Sequence, residues 1–319
     1  MANRTLDLHS GTKALGGGES TRTVVIALCA NLAVAVAKSV AAMITASASM
    51  VAEAAHSWAD TGNQAFLLIA NRRSQREPDE RRPLGYGREA YVWSLLAAVG
   101  LFVVGAAVSV WHGITELMHP TGGHEDYLIG YIVLGVAFLL EGSSLLQAVR
   151  QLHREAEQYD REVFEYALAT SDPTTRAVFA EDSAALIGLV IAGAGLGLHQ
   201  WTGSAAWDAI GSILVGVLLG VVAVILIDRN RRFLTGEPGS SQLYAAAVNH
   251  LQEQPDVAEV RFMRLEYIGP KQIFLVASVD LVGDDIESHV AHRLRRLERE
   301  MENNPYVMDA LLTVSEPGE

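Results

Sequence analysis

The sequence has one cysteine among 319 residues, and Cys29 lies inside an apolar run. A lone thiol can build neither a disulfide framework nor a cysteine zinc centre. Positive charge is also short: 24 Lys and Arg against 37 Asp and Glu leave a formal net charge of −13. Nucleic-acid binding needs a basic footprint, so no nucleic-acid partner is expected. Residues 1–20, MANRTLDLHSGTKALGGGES, lack the apolar core of a cleaved signal peptide. They read as a short, flexible polar tail. The chain also lacks internal repeats, low-complexity tracts and an HExxH pattern, so a metalloenzyme reading has no catalytic constellation behind it.

What is abundant is apolar sequence. Half of the residues are hydrophobic and the mean hydropathy is +0.21, the composition of a membrane protein. Six apolar segments, at about 22–46, 49–71, 91–116, 128–149, 176–199 and 204–227, each approach the roughly 20 residues of a spanning helix. The loop at 72–90 carries Arg72, Arg73, Arg76, Arg81, Arg82 and Arg88, and the loop at 150–175 carries Arg150, Arg154 and Arg161. The other three loops have no Lys or Arg. The positive-inside rule therefore expects the Arg-rich loops and both termini in the cytoplasm, here of a bacterium whose plasma membrane the protein spans. After Asp228 polar and apolar residues mix as in a soluble domain. From about 238 the order reads helix, strand, strand, helix, strand, with Gly269-Pro270 at the hairpin turn. The expectation is a membrane all-α bundle of six helices over 21–235, followed by a small cytoplasmic α+β domain, ferredoxin-like, over 236–319.

The second span is apolar but not clean. Glu53, His56, Asp60 and Gln64 follow spacings of three and four, which puts them on one helical face. Ionisable groups inside a bilayer persist where they face a partner, a cavity or an ion path. His56 and Asp60, one turn apart, can place an imidazole nitrogen and a carboxylate on one divalent ion, and that donor pair suits zinc, iron, cobalt or manganese. Two ligands do not close a site, so another helix must contribute. The fifth span opens with Glu181-Asp182, the fourth holds Glu141, and the first holds Asn31 and Lys38. Spans one, two, four and five therefore enclose a polar path, and three and six stand outside it. Glu141 and Lys38 read as a charge pair. Asn31 reads as an interhelical hydrogen bond or as part of the path's lining. Glu53 is either an outer relay for ions and protons or a group at the lipid headgroups. Gly193 and Gly197, with Gly216 and Gly220, would let spans five and six approach closely.

These features resemble the cation diffusion facilitator family over nearly the whole chain. "HSWAD" in the second span is similar to the family's metal motif, "RPLGYGREAY" to its Gly-His-Gly-Lys loop, and "AEDSAALIG" to its second metal motif. The resemblance implies a homodimer that exports a cytoplasmic divalent cation, zinc first, in exchange for protons. It implies a secondary transporter with no organic cofactor and no enzymatic activity. The implied ligands are His56, Asp60, Asp182 and Glu181, with His56 also carrying the proton because imidazole titrates near neutrality. The sequence departs from the family at several positions. Val178 stands at the first ligand position of the second motif, and Tyr86 at the loop histidine. Arg88 stands where the family has a lysine that pairs with an acid near the end of span six, here Glu237. In the tail, His289 matches a zinc ligand and Glu316 replaces an Asp, while the other histidine positions read Arg261, Ser278 and Val314. The rival reading is a non-transporting membrane scaffold, or a metal sensor acting through its cytoplasmic domain.

Overall fold

The computed structural model describes residues 21–120, 127–158 and 162–315, with side chains described from residue 28 on and not at 158. The expected flexible tail at 1–20 and Glu316 lie outside the described residues. Two compact units emerge. One comprises the described residues of 19–72 and 90–231, and the other 73–89 together with those of 232–319. The Arg-rich loop between the second and third spans thus belongs with the C-terminal α+β unit.

The helical unit is built from α1 (Thr21–Thr45), α2 (Ala48–Ser74), α3 (Glu89–Gly100), α4 (Val108–Met118), α5 (Tyr127–Gln158), α6 (Val163–Ala169), α7 (Pro173–Thr202) and α8 (Ala206–Thr235). A π-helical segment, Leu101–Ala107, joins α3 to α4, and the three run as one helix of 30 residues. Each expected span coincides with a helix. Five of the described helices are long and apolar enough to cross a membrane: α1, α3 with α4, α5, α7 and α8. At 27 residues α2 has the length, but its polar face lowers its apolarity. That face is turned inward, with Glu53, His56 and Asn63 all buried. The outward faces are apolar instead: Val103, Trp111, Leu139 and Val190 are all more than half exposed. Such surface is unfavourable in water and ordinary against lipid tails. Two local features differ from expectation. The helix α5 continues to Gln158, and α6 forms within 150–175, where a plain loop was read.

Alanine makes this packing close. Ala52, Ala59, Ala98, Ala106, Ala184 and Ala223 surround Leu101, Val215, Leu219 and Leu226 in one buried cluster. The glycines do not pair as expected. A β-carbon on Gly216 would meet Val110 and the Ala106 carbonyl, and Gly193 and Gly197 face Leu134 and Tyr131 of α5. The close approach of α7 to α8 runs through Gly195 and Gly211. Glycines spaced four apart mark one helical face, but spacing does not say which neighbour that face meets. Helix ends are capped by ordinary chemistry. Asp172 accepts from the Thr174 amide at 2.9 Å, with Pro173 at the first helical position of α7.

In the second unit, α9 (Ser241–Gln252), β1 (Val257–Gly269), β2 (Gln272–Leu281), α10 (Glu287–Glu302) and β3 (Val307–Val314) follow the expected order. The sheet runs β1-β2-β3, with β1 antiparallel and β3 parallel to β2. Alternation on β2 buries Ile273, Leu275, Ala277 and Val279 on one face. Leu251 of α9 and Leu297 and Met301 of α10 join that same cluster, so both helices cover one face of the sheet. The hairpin turns through Pro270-Lys271, with Lys271 at a φ of 56°, one residue later than the sequence placed it. The loop 73–89 packs on this hairpin. A β-carbon on Gly87 would lie 2.6 Å from the Ile268 carbonyl oxygen, so only glycine fits there. Tyr86, at the position the resemblance gives to histidine, donates its hydroxyl to Asp79 at 2.6 Å, and Arg76 and Arg82 stack on its ring. That hydroxyl, helped by the Arg82 and Arg81 amides, holds the Asp79 carboxyl below its ordinary pKa, and the same bond raises the Tyr86 phenol.

The candidate ion site in the helical unit

Four helices contribute to one buried polar cluster. Lys38 of α1 is fully buried, and its Nζ donates to Glu53 Oε2 of α2 and Glu141 Oε1 of α5, both at 3.0 Å. The pair read from the sequence is thus a triad. Glu53, left open between a relay and a headgroup residue, lies in the interior with no exposed surface. On the next turn of α2, His56 Nε2 lies 3.3 Å from Asp60 Oδ2, with His56 almost completely buried. One ligand atom from each of His56, Asp60 and Glu141 falls within 4.8 Å of the others.

The acidic pair opening the polar part of α7 divides. Glu181 is buried and accepts a short hydrogen bond from Asn63 Nδ2. Asp182 accepts from Ser144 Oγ of α5 at 2.7 Å. Both lie near enough for their charges to act on Asp60, but neither joins the closest three. Asn31, half-buried seven residues before Lys38, enters none of these contacts among the described residues. Several atoms facing the cluster are buried without a hydrogen-bond partner among the described residues: both His56 ring nitrogens, Asp60 Oδ1, Glu53 Oε1 and Glu181 Oε1. Buried polar atoms are satisfied in the great majority of cases, so such a concentration calls for an ion or ordered water. The arrangement offers an imidazole and several carboxylates to a cation.

Three features of the chain, two in this unit and one in the α+β unit, escaped sequence reasoning. Asp208 of α8, nearly fully buried, holds the start of α2. It accepts from Ser47 Oγ at 2.9 Å, from Ser49 Oγ by a short bond, and from the Ser49 amide at 3.3 Å. A carboxylate at a helix N-terminus meets both orphan amides and the positive dipole end. The signal was a Ser-x-Ser start to α2 and one acid in α8, but nothing local links them. Arg176 of α7 is the second. It donates to the Thr170 carbonyl at 2.9 Å and to Asn230 Oδ1 at 2.8 Å, and Asn230 reaches Ser94 at 3.1 Å. The third is a correction. The guanidinium of Arg88 bonds Glu266 Oε1 at 2.6 Å, not Glu237. Residues 237–239 run along the edge of β1, where the Glu237 carbonyl accepts from the Tyr267 amide at 3.0 Å and Pro238 sits opposite Glu266. The acid that faces the loop is therefore on β1.

Comparison with known proteins agrees with this architecture. The family model described as the cation efflux transmembrane domain matches residues 24–234. Metal tolerance protein C4 of Arabidopsis thaliana is 36% identical over 281 residues, covering 88% of this chain and 61% of that protein. The mouse mitochondrial proton-coupled zinc antiporter SLC30A9 is 34% identical over 262 residues, covering 82% of this chain and 46% of the relative. The zinc transporter ZitB of Escherichia coli is 25% identical over 235 residues, covering 73% and 69%. The chain spans about half the length of the mouse antiporter. With the matched domain covering every long helix, and a small α+β unit after it, this integral membrane protein belongs to the cation diffusion facilitator family of metal cation transporters.

Proposed function

We propose that the protein carries a divalent metal cation, zinc first, out of the cytoplasm in exchange for protons, through a site centred on His56 and Asp60 of α2. The observation that carries this reading is the set of buried, unpartnered donor atoms on His56, Asp60 and Glu181 inside a membrane bundle. Glu181 and Asp182 of α7 complete the acidic wall of the same site. Metal binding requires a neutral imidazole and ionised carboxylates, so an ion and protons compete for the same groups. Alternating exposure of such a site to the two sides couples their movement without a separate proton pathway. The name of the SLC30A9 relatives, proton-coupled zinc antiporters, supports the exchange. The Arg-rich loops support termini on the cytoplasmic side, and the family resemblance supports a homodimer.

The test is zinc flux into proteoliposomes reconstituted with the full chain, with and without a pH gradient. Transport that requires the gradient and disappears in His56→Ala and Asp60→Ala is the expected result. A protein that moves no zinc, iron, cobalt or manganese under any gradient would return the scaffold reading to the front.

A further inference from the structure

The transport reading takes its ligands from α2 and α7. The structure places another acid against the same groups. We propose that Glu141 of α5 is itself a ligand of the transported ion, and that Lys38 of α1 is the positioning residue that holds its carboxylate beside His56 and Asp60. The inference rests on the transport reading, because the ion is the one that reading carries.

Geometry is the first argument. Ligand atoms bonded to one tetrahedral ion at about 2.0–2.2 Å lie roughly 3.3–3.6 Å apart. His56 Nε2 and Asp60 Oδ2 already stand 3.3 Å apart, and one atom from each of His56, Asp60 and Glu141 lies within 4.8 Å of the others, so a shift on the order of an ångström closes the set. On α7, Asp182 is held by Ser144 at 2.7 Å, Glu181 accepts from Asn63 through one oxygen and keeps Oε1 open, and Val178 has no donor; neither acid joins the closest three.

Lys38 explains why Glu141 stays. The Glu141 side chain keeps 16% of its surface exposed, and a free carboxylate there would turn towards water or headgroups. The buried ammonium binds it through Oε1 and leaves the second oxygen for an ion, which a carboxylate's lone pairs allow. Glu53 anchors the other side of the ammonium at 3.0 Å. Its Oε1 in turn fills the gap beside Gly188 of α7, where an added β-carbon would lie only 2.7 Å away. The clamp therefore spans four helices.

Charge is the third argument. Lys38 faces Glu53 and Glu141 at 3.0 Å each, and with Asp60, Glu181 and Asp182 nearby the acids of the cluster outnumber it. A divalent cation offsets that excess of negative charge more fully than a monovalent one.

Cobalt binding to the purified full chain tests this apart from transport, because the visible spectrum of bound Co²⁺ reports its donor set and geometry. Glu141→Gln is expected to weaken cobalt affinity on the order of tenfold to a hundredfold and to change the spectrum. Lys38→Met is expected to weaken affinity while the spectrum at saturation stays that of wild type, with partial recovery in Lys38→Arg. Gly188→Ala, which removes no charge, is expected to weaken affinity by displacing Glu53. Wild-type affinity and spectrum in Glu141→Gln would overturn the ligand assignment. Wild-type affinity in both Lys38→Met and Gly188→Ala would overturn the clamp, even if Glu141→Gln fails to fold. If His56→Ala also binds cobalt as wild type does, the transport site itself is misplaced, a failure distinct from the first two.

Discussion

Both units bury acids, and they do so differently. In the α+β unit, Glu298 is almost fully buried on α10, but its carboxylate accepts from the Leu312 amide at 3.0 Å and from Arg295 at 2.9 Å. It ties helix to strand and both its oxygens are used. In the helical unit, Glu53, Asp60 and Glu181 each keep an oxygen without a hydrogen-bond partner, beside a histidine whose ring nitrogens form no hydrogen bond among the described residues and whose Nε2 faces Asp60 at 3.3 Å. An acid with both oxygens engaged is structure. An acid left open in a low-dielectric interior is costly unless something else fills it, and on the proposed reading the filling is the transported ion. Asp208 sharpens the contrast, because it lies in the helical unit yet is fully engaged with Ser47 and Ser49.

The largest effect should come from the open group. His56→Ala removes a donor that no neighbour replaces. Since changes to groups behind a ligand already cost about 10–100-fold, zinc flux should fall at least to the top of that range, with helix content by circular dichroism unchanged. The engaged acid should behave oppositely. Asp208→Ala leaves two buried hydroxyls and the Ser49 amide short of an acceptor, worth roughly 1–3 kcal/mol. Thermal unfolding in detergent should register that loss, and cobalt affinity in the folded fraction should not change. A large drop in affinity with normal stability would show that the division between open and engaged acids is drawn in the wrong place.

Two smaller effects belong to the loop carried by the α+β unit. The Arg88–Glu266 pair is part exposed, so it contributes about 0.2–1 kcal/mol. Reversing either charge should slow transport modestly, and reversing both should restore it; additive damage would count against the pair. Asp79 gives the smallest. Its carboxyl sits below the ordinary value of about 3.9, so its contribution is complete at neutral pH and is lost as pH falls through the depressed folded value. Amide exchange over 79–87 should therefore quicken only in acid below the usual carboxylate range, and Asp79→Asn should remove that dependence.

Much of this was legible locally. The six membrane segments, the order of the α+β unit and the polar face of α2 follow from hydrophobic periodicity and from i, i+3 and i, i+4 spacing, which depend only on neighbours along the chain. So does the His56–Asp60 contact, one turn apart. The sequence determined which residues share a face, and hence that α2 carries a polar face. It did not determine what that face meets. Lys38 reaches Glu53 across 15 residues and Glu141 across 103, Asp208 reaches Ser49 across 159, and Arg88 reaches Glu266 across 178. Spacing carries no information at those separations. The glycine faces of α7 and α8 erred for the same reason, as did the Arg88–Glu237 pairing. Only the packing of helices against one another, and of residues 237–239 along β1, decided which acid each cation found and which acids kept an oxygen without a hydrogen-bond partner.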